Sequence, residues 1–185
     1  MGQDAAFEQL IARGLAASGR QQAQEAIRLF RQASELEPAS GVPHFLIGSE
    51  HAAAGEVDSA EQAFAQALLL APSFTIARYQ LGLLQFTAGR PGDAQATWQP
   101  LLGLDDSHPL GHFARGFAAL GRNDLGAAVS HYRAGLARNE ENAALSRDIQ
   151  LVVDAVEALQ PLQETATAEA EAGHVLLSAY ARGLH

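Results

Sequence analysis

An all-α fold built from repeated helix pairs is what this chain predicts, and three observations carry the prediction. Ala60, Phe64 and Ala67 return as Ala26, Phe30 and Ala33, as Ala94, Trp98 and Leu101, and as Ala128, Tyr132 and Gly135, each set 34 positions from the next. Spacings of four and three put each set on one face of a helix. Gly and Pro punctuate the chain as helix–turn–helix units require, most clearly in GVPHFLIGSEHAAAGEVDSAEQAFAQALLLAP, residues 41–72, which reads as two helices joined at Gly55. Hydrophobic residues make up 48% of the chain but aromatics only 6%, so the core must come largely from Ala and Leu. That suits close-packed helices and suits strands poorly.

Taken in order, residues 1–4 are a loose N-terminus whose Asp4 can cap the first helix. That helix runs from about Ala5 to Ser18 and stops at Gly19-Arg20; its partner runs to about Glu37, ahead of Pro38. Pro43 opens the second pair, which turns at Gly55 and ends before Pro72. Ser73 reads as the next N-cap, followed by a helix with Ala77, Leu81, Leu84 and Ala88 on one face. Gly89 ends it and Pro91 starts its partner, which Pro100 should kink or stop near Gln99. After GLDDSH, Pro109 opens the fourth pair, whose second helix spans about Asp124 to Arg138. Asn142 then caps a helix with the stripe Leu145, Ile149, Val152, Val153 and Val156, which Pro161 should break. A last helix is expected to pack through Leu176, Leu177, Tyr180 and Leu184. The chain thus divides into residues 1–4, repeats at 5–38, 41–72, 73–104 and 108–140, and C-terminal capping helices over 141–185.

Repeats 1 and 4 leave a choice of register. ARGLAASGR at 12–20 and ARGFAALGR at 114–122 carry turn glycines two residues earlier than Gly55 and Gly89 do. A strict period aligns Gly14, Gly48, Gly82 and Gly116 but sends Arg13 and Arg115 into the seam between repeats. A two-residue insertion in the turn buries Ile11 with Leu15 and Phe113 with Phe117 instead. Burying an unpaired guanidinium costs several kcal/mol, which favours the insertion.

Composition removes several function classes. The net charge is −9, all twelve basic residues are Arg, and no basic run occurs, so neither a nucleic-acid backbone nor an anionic membrane is an expected partner. Without Cys there is no disulfide, thiolate catalysis or Cys-based zinc site. MGQDAAFEQL is not a signal peptide and no apolar run spans a bilayer, so the expected setting is cytoplasmic. Among seven histidines, His108 and His112 have the i, i+4 spacing of metal ligands, but Pro-Leu-Gly lies between them and no third ligand is nearby. Packed or surface histidines are the better reading, and no metal or cofactor is expected. There is no Gly-x-Ser-x-Gly elbow, no phosphate loop and no nucleotide fingerprint, so no enzyme activity is expected.

The 34-residue helix–turn–helix unit resembles the tetratricopeptide repeat over residues 5–140. The resemblance implies a right-handed α-solenoid of about four helix pairs in which the first helix of each pair lines a concave groove. Carried over helix by helix, it implies exposed groove positions at Gln9 and Arg13; at Val42, Phe45 and Ser49; at Ile76, Tyr79, Leu83 and Phe86; and at Arg115. Such a groove would bind a peptide segment of another protein, with Phe45, Tyr79 and Phe86 as apolar anchors and Arg13 or Arg115 meeting a carboxylate. The chaperone-tail specificity of one subgroup, built on Lys and Asn, does not fit a chain without Lys. Two other readings stay open: a small cytoplasmic secretion-type chaperone, and a homo-oligomeric scaffold, for instance a homodimer through the C-terminal helix.

Overall fold

The computed structural model describes residues 2–165; the proposed final helix, with Leu176, Leu177, Tyr180 and Leu184, lies outside them. Among the described residues the regular structure is entirely α-helical: α1 (Gly2–Ser18), α2 (Ala23–Leu36), α3 (Val42–Ala53), α4 (Val57–Leu70), α5 (Thr75–Thr87), α6 (Pro91–Leu102), α7 (Pro109–Gly121), α8 (Leu125–Leu136) and α9 (Ala143–Thr165). The chain forms two compact units that divide after Leu84, within α5.

In the first unit α1 packs on α2, α2 on α3 and α3 on α4. Each pair closes where a ring on the second helix lies against a glycine on the first. Phe30 fills the notch at Gly14 and Phe64 the notch at Gly48; a Cβ on either glycine would come within 3.0 Å of the ring. Ala17, Ala26, Ile27, Leu29 and Ile47 surround Phe30, while Ala60 and Leu81 surround Phe64. Phe45 adds ring contacts, its centroid 5.9 Å from that of Phe64 and 5.1 Å from that of Phe74.

The second unit repeats the device on α7 and α8, where Tyr132 lies over Gly116 and Phe113 over Gly135. An aromatic cluster joins Phe86, Trp98, Phe117 and Tyr132, with neighbouring centroids 5.2–6.0 Å apart. α9 packs against α8, and the whole predicted stripe Leu145, Ile149, Val152, Val153 and Val156 is buried. Asn142 caps α9 as expected, its Oδ1 accepting from Leu145 N at 3.0 Å.

The strict 34-residue register holds and the two-residue insertion does not. Leu15, which the insertion would bury, is 49% exposed, whereas Gly14 is buried in the seam. The turns explain why. The residue with positive φ is not Gly19 or Gly121 but Gln21 (60°) and Asn123 (60°), 34 positions from Gly55 (74°) and Gly89 (76°). All four turns make the same pair of bonds. Gln22, Glu56, Arg90 and Asp124 N–H donate to the carbonyls of Ala17, His51, Gln85 and Ala119. Gln21, Gly55, Gly89 and Asn123 N–H donate to those of Ser18, Ala52, Phe86 and Leu120. This is the Schellman closure of a helix C-terminus, and its left-handed residue is usually but not always glycine.

Four boundaries also differ from the sequence reading. α1 begins at Gly2, so Asp4 lies in its first turn instead of preceding it. α5 starts at Thr75, so Phe74 and not Ser73 precedes it. α9 continues through Pro161 to Thr165; the proline removes one backbone bond near the C-terminal end without stopping the helix. α6 likewise passes through Pro100 to Leu102. Ala96 and Pro100 are both exposed, so the carbonyl deprived of its donor lies on the solvent face.

α4 ends at Leu70, whose counterpart 34 residues on is Leu104, but α6 ends two residues short of it. Arg115 takes up the freed backbone: Nη2 donates to Leu104 O at 2.7 Å and Leu102 O at 3.2 Å, and Nη1 to Asp106 Oδ1 at 3.1 Å. The seam position filled by Ile47 and Leu81 in repeats 2 and 3 therefore holds a half-buried guanidinium that makes three hydrogen bonds in repeat 4. Arg13, at the same position in repeat 1, is exposed. The penalty expected for an unpaired buried Arg does not arise at either place.

This geometry sets the expected stability of five variants, each read by urea midpoint. Gly48→Ala and Gly116→Ala should each cost about 1–3 kcal/mol by forcing a methyl into an aromatic ring, while Gln21→Gly should stabilise by about 0.5–1 kcal/mol by relieving a left-handed L-residue. Arg115→Met should cost about 1–3 kcal/mol because it orphans the half-buried carbonyls of Leu102 and Leu104, and Arg13→Met should be near neutral.

Candidate functional site

The strict register moves the groove row. Taking α3 as reference, Val42, Phe45 and Ser49 have counterparts at Glu8, Ile11 and Leu15 in α1, at Ile76, Tyr79 and Leu83 in α5, and at Leu110, Phe113 and Phe117 in α7. Gln9, Arg13 and Arg115, assigned to the row under the insertion, fall off it, Gln9 by one position and the two arginines by two. Gln9 and Arg13 are exposed on α1, and Arg115 is half-buried and bound to the segment that follows α6.

The remaining predicted residues separate by burial. Tyr79 is wholly buried, and Leu83 and Phe86 are each 7% exposed, so their expected exposure is not met. Phe86 belongs to the aromatic cluster with Trp98 and Phe117. These side chains meet the test of core residues, not of open anchors. Phe45, Ser49 and Ile76 are half-buried, and Ser49 Oγ donates back to Phe45 O at 3.0 Å. Val42 is 39% exposed.

What the sequence reading missed is the α1 end of the row. Leu15 and Val42 are among the few large apolar side chains exposed in the described residues, and both sit on the row within the first unit. Half-buried Ile11, Phe45 and Ile76 occupy the same row. Flanking groups on the same helices are polar: His44, whose pKa burial holds below the ordinary imidazole value, Glu50, and exposed Arg13 and Glu8. The missed signal was present in the glycines, because alignment on Gly14 and Gly48 places Leu15 beside Ser49 in the repeat.

The histidines do other work. His108 is the N-cap of α7, its Nδ1 accepting from Leu110 N at 3.2 Å. His112 Nε2 donates to Asp106 O at 2.8 Å, so the two imidazoles do not converge on a common point. No group of three or more His, Cys, Asp or Glu side chains among the described residues could hold a metal ion. His51 Nδ1 pairs with Glu56 across the α3–α4 turn. Nor is any described helix long and apolar enough to cross a membrane.

Comparison with known proteins accords with this geometry. The tetratricopeptide repeat family model matches residues 45–109 and 79–144. No curated protein sequence matches the chain. Among solved structures, PilF of Pseudomonas aeruginosa is 17% identical with a TM-score of 0.69, covering 99% of this chain and 78% of that one. MamA of Desulfovibrio magneticus RS-1 is 16% identical with a TM-score of 0.63, covering 94% of each. YrrB, described as a TPR protein with an unusual peptide-binding site, is 17% identical with a TM-score of 0.57, covering 100% of this chain and 93% of that one. At these identities the likeness is one of fold, an all-α solenoid of helix pairs. With the family model spanning more than half its length, this chain belongs to the tetratricopeptide repeat family.

Proposed function

We propose that this chain is a non-catalytic binding module that holds a peptide segment of a partner protein on the first-helix row of its first unit, centred on Leu15, Val42 and Phe45. The coarser part of this reading rests on the family, whose members are protein–protein interaction modules. The finer part rests on one observation: Leu15 and Val42 are 49% and 39% exposed on a row whose counterparts Leu83 and Leu110 are each 7% exposed. Exposed apolar side chains that lie on one row with half-buried aromatic and aliphatic neighbours are the usual make-up of a docking surface.

Chemistry supports the same assignment. An apolar anchor from the segment would cover Leu15 and Val42 and complete the contacts that Ile11, Phe45 and Ile76 make only in part. Gln9 and Arg13 sit on the same helix as Leu15 and would form a polar rim. That YrrB is described as having a peptide-binding site agrees with this use of the fold.

The test begins with a displayed peptide library screened against the full chain, followed by calorimetry of the selected peptides. Leu15→Asp and Val42→Asp should each weaken binding by about tenfold or more, the loss associated with removing a central anchor, and both should leave the urea midpoint nearly unchanged. Selected peptides that bind both variants as tightly as the original chain would overturn the assignment.

A further inference from the structure

The segment between α6 and α7, residues 103–108, is held by two side chains of α7. Arg115 binds Leu104 O and Asp106 Oδ1, and His112 Nε2 donates to Asp106 O. That bond requires the proton on Nε2 and leaves Nδ1 as a lone pair. His112 is only 7% exposed, and its Nδ1 is buried with no hydrogen-bond partner among the described residues. On the facing helix α8, the ring of His131 lies with its centroid 6.1 Å from that of His112. From this juxtaposition we propose that the His112–His131 pair makes the α6–α7 junction proton-sensitive, so that a proton taken up by the pair loosens residues 103–108 at mildly acidic pH.

The chemistry runs in one direction. A proton arriving at His112 Nδ1 would create a buried N–H with no acceptor, beside a guanidinium already bound to the same segment. His131 cannot readily take it instead: burial first, then His112, Arg115 and Arg122, hold its pKa below the ordinary 6.5, and only Asp106 acts the other way. The folded unit therefore favours neutral His131. Stability that depends on this neutrality is fully present above pH 6.5 and is lost as pH falls from there through the lowered folded value.

The other charges around the pair do not cancel this. In the segment itself, Asp105 accepts from Ser107 N, which holds its carboxyl below the usual range, and His108 Nδ1 is engaged as the cap of α7. On α8, Arg133 binds Glu157 of α9 at 2.7 Å. Asp148 of α9 is pushed up by burial, against the pull of Arg147. A carboxyl raised in this way gains stability as pH falls, opposite to the histidines, so a global midpoint would mix the two and a local measurement is needed.

Hydrogen exchange of the full chain, corrected for the intrinsic pH dependence of amide exchange, supplies that measurement at pH 7.5 and 5.5. Protection at residues 102–110 should fall by about threefold or more at the lower pH. His112→Gln, whose amide can still donate to Asp106 O but takes up no proton, should remove most of that fall, and His44→Gln, which removes a burial-shifted histidine of the first unit, should leave it intact. The proposal is overturned if protection there is pH-independent, or if His112→Gln leaves the fall unchanged. NMR titration of the His131 ring gives an independent arm: a midpoint at or above 6.5 overturns it, and one below supports it.

Discussion

An aromatic ring seated over a glycine is the contact on which the rest of this chain depends. At Gly14, Gly48 and Gly116 the missing Cβ lets the ring of Phe30, Phe64 or Tyr132 lie against the backbone of the partner helix. The ring changes between repeats but the glycine does not, because a ring can be exchanged for another within the same space and a methyl cannot be admitted at all. Ala26, Ala60 and Ala128, all fully buried one turn before those rings, keep the helices close enough for the seat to form. The distance between helices is therefore set by two small residues and one large one, and the 34-residue step follows from repeating them.

The turn between the helices of each pair serves the same constraint. Its length is identical in all four repeats because a Schellman closure needs one left-handed residue at a set distance from the last carbonyls. Where Gln21 and Asn123 replace glycine, the conformation persists, so packing of the pair over-determines the turn. Lengthening the turn would slide the ring off its seat, a larger loss than the strain of one residue at positive φ.

Repeat 4 shows how a local irregularity is absorbed without changing that step. α6 ends two residues short of the position at which α4 ends, and the chain spans the gap with carbonyls that need donors. Arg115 and His112, both on α7, supply them. An aliphatic residue such as Ile47 or Leu81 fills the corresponding position where the preceding helix is full length. Groups that look misplaced by a strict repeat are thus the ones that satisfy a shortened helix. They also bring His112, Arg115 and Asp106 together at the α6–α7 junction.

Periodicity alone determined much of this protein. The helix count over the repeats, the second-helix cores from Ala26 to Gly135, the capping stripe from Leu145 to Val156 and the family follow from residue spacing, since a helix face repeats with the chain itself. Register in repeats 1 and 4, and with it the site, did not follow. The sequence offers Gly19 and Gly121 as turn residues, and only the fold shows that Gln21 and Asn123 take the left-handed position. The same holds for Tyr79 and Leu83 against Val42: spacing puts all three on one row, but exposure depends on what the rest of the chain covers. A proline's effect is likewise decided by where its freed carbonyl points, and a buried arginine's cost by which carbonyls reach it. Those are properties of three-dimensional neighbours, which are distant in sequence and carry no period of their own.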